Sequence, residues 1–291
     1  MKAELLNLID CIEHLPVLPA TSVRLVQVLS NKNASIEEVI GVIQYDQNLT
    51  LQVLRLCNSA YFGLNRKISS LRDAVAYLGS RHLMRLVLGI HCNAILQKPQ
   101  QGYGLLEGML WRHSTGVALL AERLGRVKEH EKDMPSTGIL FTAGLLHDVG
   151  KVILDQVLSE SYVQVLDRVS SGSVTFDDAE REIMGYSHTE VGEMVMLHWQ
   201  LPSSIAAVGR YHHNPETYGD GDPGTRQTIN IVHLADALAI SLGLGLGNDG
   251  LQYKPSNALA ERYGYNSQCI EEICVDALRE LQSLEELYQE R

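Results

Sequence analysis

Leu145-Leu146-His147-Asp148-Val149-Gly150-Lys151 places an adjacent histidine and aspartate, with a lysine three residues on, inside an otherwise apolar helical stretch, Gly138 to Leu158. Neighbouring residues on an α-helix point about 100° apart. Two buried polar groups in such a place need a common partner, and a metal ion meets that need, because imidazole nitrogen and carboxylate oxygen both ligate zinc, manganese and iron. Working outward, further candidates occur in order along the chain: His113, His188, the pair His212-His213, and Asp236. The chain has 11 histidines, so any single one near an apolar helix is ordinarily a surface or core residue. Order and context carry the reading, since each candidate lies in or beside an apolar helical segment.

The spacing allows two ions. One would take His113, His147, Asp148 and Asp236, and the second Asp148, His188, His212 and His213, with Asp148 bridging through its two oxygens. Two metals about 3.5–4 Å apart can clamp a phosphate. Lys151 lies on the same side of the helix as Asp148 and can meet substrate charge; equally, it can be a lysine of the helix surface.

The surrounding pattern is helical almost throughout, which gives an all-α fold. Val23, Val26 and Leu29 follow three- and four-residue steps, as do Ile36, Val39, Ile40 and Ile43; the runs Leu49–Leu56, Leu71–Leu78 and Leu83–Ile90 continue the pattern, with Gly63 and Gly79 as breaks. Ser35-x-x-Glu38 reads as a capping box and Thr175-x-x-Asp178 as a similar start. Ser187 reads as the N-cap of a helix Thr189–Trp199, and Pro202 as the front of a helix Ser203–His213. Asn214 to Gly224 reads as a turn-rich loop, Ile229–Leu242 as the helix carrying Asp236, and Gln268–Tyr288 as a closing helix. The polar segment Lys98–Gly104 reads as a linker, dividing the chain into an N-terminal helical lobe, 1–100, and a second lobe, 101–291.

Composition bounds the function. The 291 residues are 45% hydrophobic and 20% charged, as a globular chain requires, and the net charge of -11 argues against general nucleic-acid binding. No apolar run approaches the ~20 residues of a membrane span; the longest candidate is Leu234–Leu246. The amphipathic, acidic start Met1–His14 is unlike a secretory leader, and the five cysteines, Cys11, Cys57, Cys92, Cys269 and Cys274, form no C-x-x-C. The expected compartment is the cytoplasm.

The candidate residues, in this order, resemble the HD superfamily of metal-dependent phosphohydrolases, in the branch containing the HD-GYP cyclic-di-GMP phosphodiesterases. The N-terminal half narrows the resemblance. Leu15-Pro16-Val17-Leu18-Pro19, Ile43-Gln44-Tyr45-Asp46-Gln47-Asn48-Leu49-Thr50, Leu54-Arg55-Leu56-Cys57-Asn58-Ser59-Ala60, Ile68-Ser69-Ser70-Leu71-Arg72-Asp73-Ala74 and Leu78-Gly79 are similar to the HDOD family. The resemblance implies an HD-type helical bundle with an N-terminal helical lobe. It also implies a bacterial signalling or regulatory module, of a kind often joined to other signalling domains and often short of several HD ligands. This chain keeps the ligand set and reads as a stand-alone module. It departs from HD-GYP proteins, because the loop after His213 lacks Gly-Tyr-Pro, and because Met109 stands where some of them carry an extra Glu ligand. Two divalent transition metals are therefore expected rather than three: iron or manganese first, zinc or nickel as further candidates. Lys151 and Asp148 are the expected catalytic pair if the module hydrolyses phosphoesters. Three functions follow: a signalling module that engages a partner protein, a phosphohydrolase acting on a small phosphorylated ligand, and di-iron oxygenase-like chemistry. For the first, Asn58–Gly63, with Tyr61 and Phe62, is a candidate docking surface.

Overall fold

The computed structural model describes residues 12, 18–30, 35–59, 67–131, 133–157, 161–171, 174–248 and 257–289. Tyr61, Phe62, Gly63, Cys11 and nearly all of the Met1–His14 segment lie outside these residues. The protein is all-α: among the described residues the sole β feature is an isolated bridge between Gln100 and Leu105.

The first helices are α1 (Ala20–Ser30), α2 (Ile36–Ile43), α3 (Gln47–Cys57) and α4 (Leu71–Leu96). Their starts follow the polar side chains. The Ser35 hydroxyl accepts from the Glu38 amide and the Glu38 carboxylate accepts from the Ser35 amide, so two orphan donors are satisfied at once. Asp46 and Ser70 cap α3 and α4 through Leu49 and Asp73. Asn58 ties the end of α3 to the approach of α4. Its amide nitrogen donates to the carbonyls of Leu54 and Ile68, and its amide oxygen accepts from the Ile68 amide at 2.7 Å. Gly79 interrupts α4 at φ +77, where a side chain would be strained, so the break expected there is a kink within one helix rather than an end.

Ten helices follow among the described residues: α5 (Met109–Val127), α6 (Thr137–Leu146), α7 (Val149–Val157), α8 (Tyr162–Ser170), α9 (Phe176–Met184), α10 (His188–His198), α11 (Ser203–Tyr211), α12 (Pro223–Ser241), α13 (Asn257–Arg262) and α14 (Ser267–Gln289). Helix α5 is the spine; α6, α12 and α14 pack on it, α10 packs on α7 and α11, and α11 packs on α12. Helices α1 and α4 reach the same body through α6, and α4 also touches α5 and α7.

Four expectations change here. The His147-Asp148 doublet is not inside a continuous helix; it is the turn between α6 and α7. Segment Lys98–Gly104 is not a polar surface linker: it holds a 3-10 turn, Gln101–Tyr103, and Gln100 and Tyr103 are buried. The helix carrying Asp236 begins at Pro223, because the Asp222 carboxylate accepts from the Thr225 amide at 2.8 Å and shortens the preceding loop. Among the described residues the most membrane-like stretch is 137–156 rather than Leu234–Leu246; it runs through α6, the His147-Asp148 turn and α7, and 89% of its apolar 18-residue window is buried inside the protein.

A network of charges joins α4, α5 and α14. Arg85 pairs with both Glu122 and Glu280, Arg123 meets Glu280 at 2.6 Å, and Arg126 meets Glu122 at 2.8 Å. The side chains of Arg85 and Glu122 are only 8% and 2% exposed. Removing one partner of such a pair leaves the other charge buried. Glu122→Ala is expected to lower unfolding free energy by about 3 kcal/mol, at the low end for broken buried pairs because Glu280 still faces Arg85. Urea unfolding followed by circular dichroism measures this, and a change below about 1 kcal/mol would show the network to be dispensable.

Candidate metal centre

The seven residues expected to ligate metal come together from five places in the chain. His113 stands in the second turn of α5, His147 and Asp148 at the α6–α7 turn, His188 at the start of α10, His212 and His213 at the end of α11, and Asp236 in the middle of α12. Local structure sets each position. Glu190 accepts from the Ser187 amide at 3.0 Å and fixes where α10 begins, which puts His188 at its first residue. Pro202 starts α11, and after nine helical residues the chain presents the two adjacent imidazoles at a helix end, where the backbone turns. The α6–α7 turn lets His147 and Asp148 face one centre, which two consecutive residues of one straight helix would not do.

The side chains form two groups, His113, His147 and Asp236 in one, and Asp148, His188, His212 and His213 in the other. All are buried. In the first group, His113 Nε2 lies 3.3 Å from His147 Nε2 and 3.2 Å from Asp236 Oδ1. In the second, His188 Nε2 lies 3.1 Å from His213 Nε2. Asp148 stands between the groups. Its Oδ2 is 3.6 Å from both His113 Nε2 and His147 Nε2, while its Oδ1 is 3.8 Å from His188 Nε2 and 3.7 Å from His212 Nε2.

The hydrogen bonds behind the rings decide which nitrogen faces inward. His113 Nδ1 is 3.1 Å from the Leu244 carbonyl, His147 Nδ1 2.7 Å from that of Gly144, and His212 Nδ1 3.0 Å from those of Val208 and Gly209. A carbonyl only accepts, so these Nδ1 atoms carry hydrogen and donate, leaving each neutral ring with its lone pair on Nε2. With both rings neutral, the lone pairs of His113 and His147 face each other 3.3 Å apart, an arrangement that a shared cation satisfies. Nitrogens bound at 2.0–2.1 Å to one ion at tetrahedral or square angles lie about 2.8–3.4 Å apart, a range that includes both Nε2 pairs here. Asp148 Oδ1 and His212 Nε2 are buried and make no hydrogen bond among the described residues, as open ligand atoms would. The donor set therefore fits divalent metal.

The charge states agree. Burial opposes ionisation of Asp148, yet Lys151 and the surrounding imidazoles hold it well below the usual carboxylate range. Asp236, also buried, is brought to about 2 by His113 beside it and by the neighbouring imidazoles. Burial and His147 push His212 down to about 3, and burial lowers His147 and His213 as well. His113 and His188 are the exceptions: against burial, Asp236 and Asp148 raise His113, and the Glu180 carboxylate lifts His188 to about 9, so these carboxylates favour positive charge at the two imidazoles. Anionic carboxylates and neutral imidazoles are the forms that bind metal.

Lys151 is neither a surface lysine nor an outstretched one. It is 4% exposed, its Nζ lies 2.7 Å from Asp148 Oδ2, and it sits over the Tyr103 ring. Three neighbours were missed by reading the sequence. Glu180 is fully buried and accepts from the His188 amide at 2.8 Å. Tyr103 donates to Glu180, and His233 Nδ1 meets the His212 carbonyl at 2.7 Å. One signal was available: Phe176, Ala179, Glu180 and Met184 form the buried stripe of α9, and a carboxylate in such a stripe needs a donor. Asp177, Glu180 and His188 also group closely, but Asp177 already takes Thr189 and Arg181, and Glu180 takes Tyr103 and His188.

A family profile for the HDOD domain matches residues 15–215. The chain belongs to the HDOD family. An HDOD domain protein of unknown function from Geobacter sulfurreducens is 27% identical, with a TM-score of 0.65, over 98% of this chain and 96% of that one. A protein of Marinobacter aquaeolei VT8, provisionally named a signal transduction protein, superposes with a TM-score of 0.71 at 22% identity, over 98% of this chain and 65% of that one. A protein of Shewanella amazonensis SB2B, provisionally named a phosphohydrolase, gives 0.61 at 20% identity, over 93% and 98%. These two likenesses show the shared fold. A curated relative, an uncharacterised protein of Treponema pallidum (strain Nichols), is 24% identical over 73% of this chain. The chain spans 41% of that relative's length.

Proposed function

We propose that this HDOD protein is a cytoplasmic signalling module built around a dinuclear centre. His113, His147 and Asp236 hold one divalent transition metal, His188, His212 and His213 hold a second, and Asp148 lies between them. The observation that carries the reading is the Asp148 carboxylate, whose two oxygens address the two histidine groups separately. Mixed imidazole and carboxylate donors suit iron or manganese, with zinc or nickel as further candidates. Such a pair of ions would supply Lewis-acid polarisation of a phosphoryl oxygen. The signalling role is supported by membership of the HDOD family and by the depth of the site: closed on most sides, it suits a centre that sets the shape of the bundle for a partner protein. Metal analysis of purified protein is the test, with about two ions per chain expected. A chain that takes up no transition metal on reconstitution rejects the centre.

One observation favours a second reading, hydrolysis of a small phosphoester. A buried ammonium beside Asp148 is costly, and a purely structural metal site does not need it. Lys151→Ala is then expected to lower turnover of bis(p-nitrophenyl) phosphate at least tenfold with metal content unchanged, because an ammonium is a point charge suited to phosphate. Loss of metal in this variant would assign Lys151 to holding Asp148. A fully loaded wild type that turns over no phosphodiester or phosphomonoester rejects the hydrolase reading.

A further inference from the structure

We propose that Glu180 and Tyr103 are positioning residues for the His188 half of the centre, and that through them the turn joining α4 to α5 responds to metal. The inference rests on the metal-centre reading above. Glu180 uses both oxygens. One accepts from the His188 amide at 2.8 Å and faces His188 Nδ1 at 2.6 Å, and the other accepts from the Tyr103 hydroxyl at 2.5 Å. Glu180 and Tyr103 are both fully buried. A carboxylate behind a ligating imidazole fixes the ring and raises its basicity, and removing it typically weakens metal binding 10–100-fold.

Tyr103 reaches the other half as well. Lys151 Nζ, bonded to Asp148, lies 5.6 Å from the centre of its ring. The ring packs 5.3 Å from Phe176 and meets His188 edge-on at 6.1 Å. Its backbone belongs to a small, fastened turn. Gln100 and Leu105 exchange hydrogen bonds of 2.9 and 3.0 Å, the Gly102 amide donates to Asp155 on α7 at 2.5 Å, and the Tyr103 carbonyl accepts from the Asn248 amide at 2.7 Å. The connection from α4 into the bundle is thus hooked to Glu180 by one phenol. Coupling of this kind is reciprocal: if the hook steadies His188 for metal, metal at His188 steadies the hook.

The test uses Mn(II) with the full chain. Wild type, Tyr103→Phe, Glu180→Gln and the double variant are compared by chelator competition, and amide exchange of the Gln97–Glu107 segment is followed with and without Mn(II). Glu180→Gln is expected to weaken the affinity for one ion about 10–100-fold. Tyr103→Phe keeps the ring and removes only the hydroxyl, so a loss of about threefold to tenfold is expected, and the double variant should bind no more weakly than Glu180→Gln alone, because both changes break one chain of bonds. Mn(II) should slow exchange in the turn of the wild type and not in Tyr103→Phe. Should Glu180→Gln fail to fold, Tyr103→Phe carries both readouts. Wild-type affinity and metal-dependent protection in Tyr103→Phe would overturn the positioning role while leaving the centre intact. A wild type that binds neither Mn(II) nor any other transition metal would remove the centre, and this inference with it.

Discussion

Asp148→Ala is expected to empty the centre of both ions, taking metal content from about two per chain to near zero. The size of the effect follows from position. Of the other six candidates, Asp236 also reaches both groups, with Oδ1 3.2 Å from His113 Nε2 and Oδ2 3.7 Å from His213 Nδ1, but it approaches a single histidine of the second group. Asp148 faces both at full reach, Oδ2 toward His113 and His147, Oδ1 toward His188 and His212. Its removal also takes from the buried Lys151 the carboxylate that stands 2.7 Å away, so the charge of that ammonium repels a divalent ion rather than helping to hold it. His188→Ala supplies the contrast: it subtracts from the second group alone and should cost about one ion. Elemental analysis of both variants after reconstitution separates the cases. Retention of wild-type metal by Asp148→Ala would show that this carboxylate bridges nothing, and equal losses in the two variants would show a centre that assembles all at once.

The legible part of this chain was what one residue does to its neighbours. The Ser35 box, the Thr175 and Ser187 starts and the Pro202 front all stand in the structure near where the sequence put them, because a cap is a contact between residues two or three apart. The candidate ligands were legible for another reason. Adjacent polar pairs in apolar runs, His147-Asp148 and His212-His213, conflict with burial unless something binds them. Glu180 and Tyr103 were not legible because their meaning lies in a contact 77 residues apart, between a turn that reads as polar linker and one side chain of a helix with four carboxylates. Lys151 was left open by the same limit: its spacing from Asp148 was visible, but its burial under the Tyr103 ring depends on where that turn folds back. Asn58 is similar. Its amide bonds to Leu54 and Ile68, and residues 60–63 of the candidate docking segment lie outside the described residues.

Gly150→Ala is expected to do the greatest damage of any single methyl group, and to do it at the centre. Helices α7 and α10 cross at Gly150: a Cβ placed there would lie 1.9 Å from the His188 carbonyl oxygen and 2.6 Å from the Gly192 amide nitrogen. Both are backbone atoms, so no side chain can swing aside, and one helix must move off the other by an ångström or more. His147 and Asp148 lie three and two residues before Gly150, and the nearest atom its Cβ would meet belongs to His188. The displacement therefore opens the site along the line where Asp148 Oδ1 now stands 3.8 Å from His188 Nε2. Overpacking commonly costs 1–3 kcal/mol, occasionally more, and a backbone-to-backbone clash belongs at the upper end, so a loss of about 3 kcal/mol is expected. Urea unfolding without metal measures that loss. Metal titration of whatever remains folded measures the second consequence, weakened binding at the His188 group with the His113 group less affected. A variant as stable as wild type and with unchanged affinity would mean that α7 and α10 are not in close contact at this glycine, and the crossing that sets Asp148 against His188 would have to be redrawn.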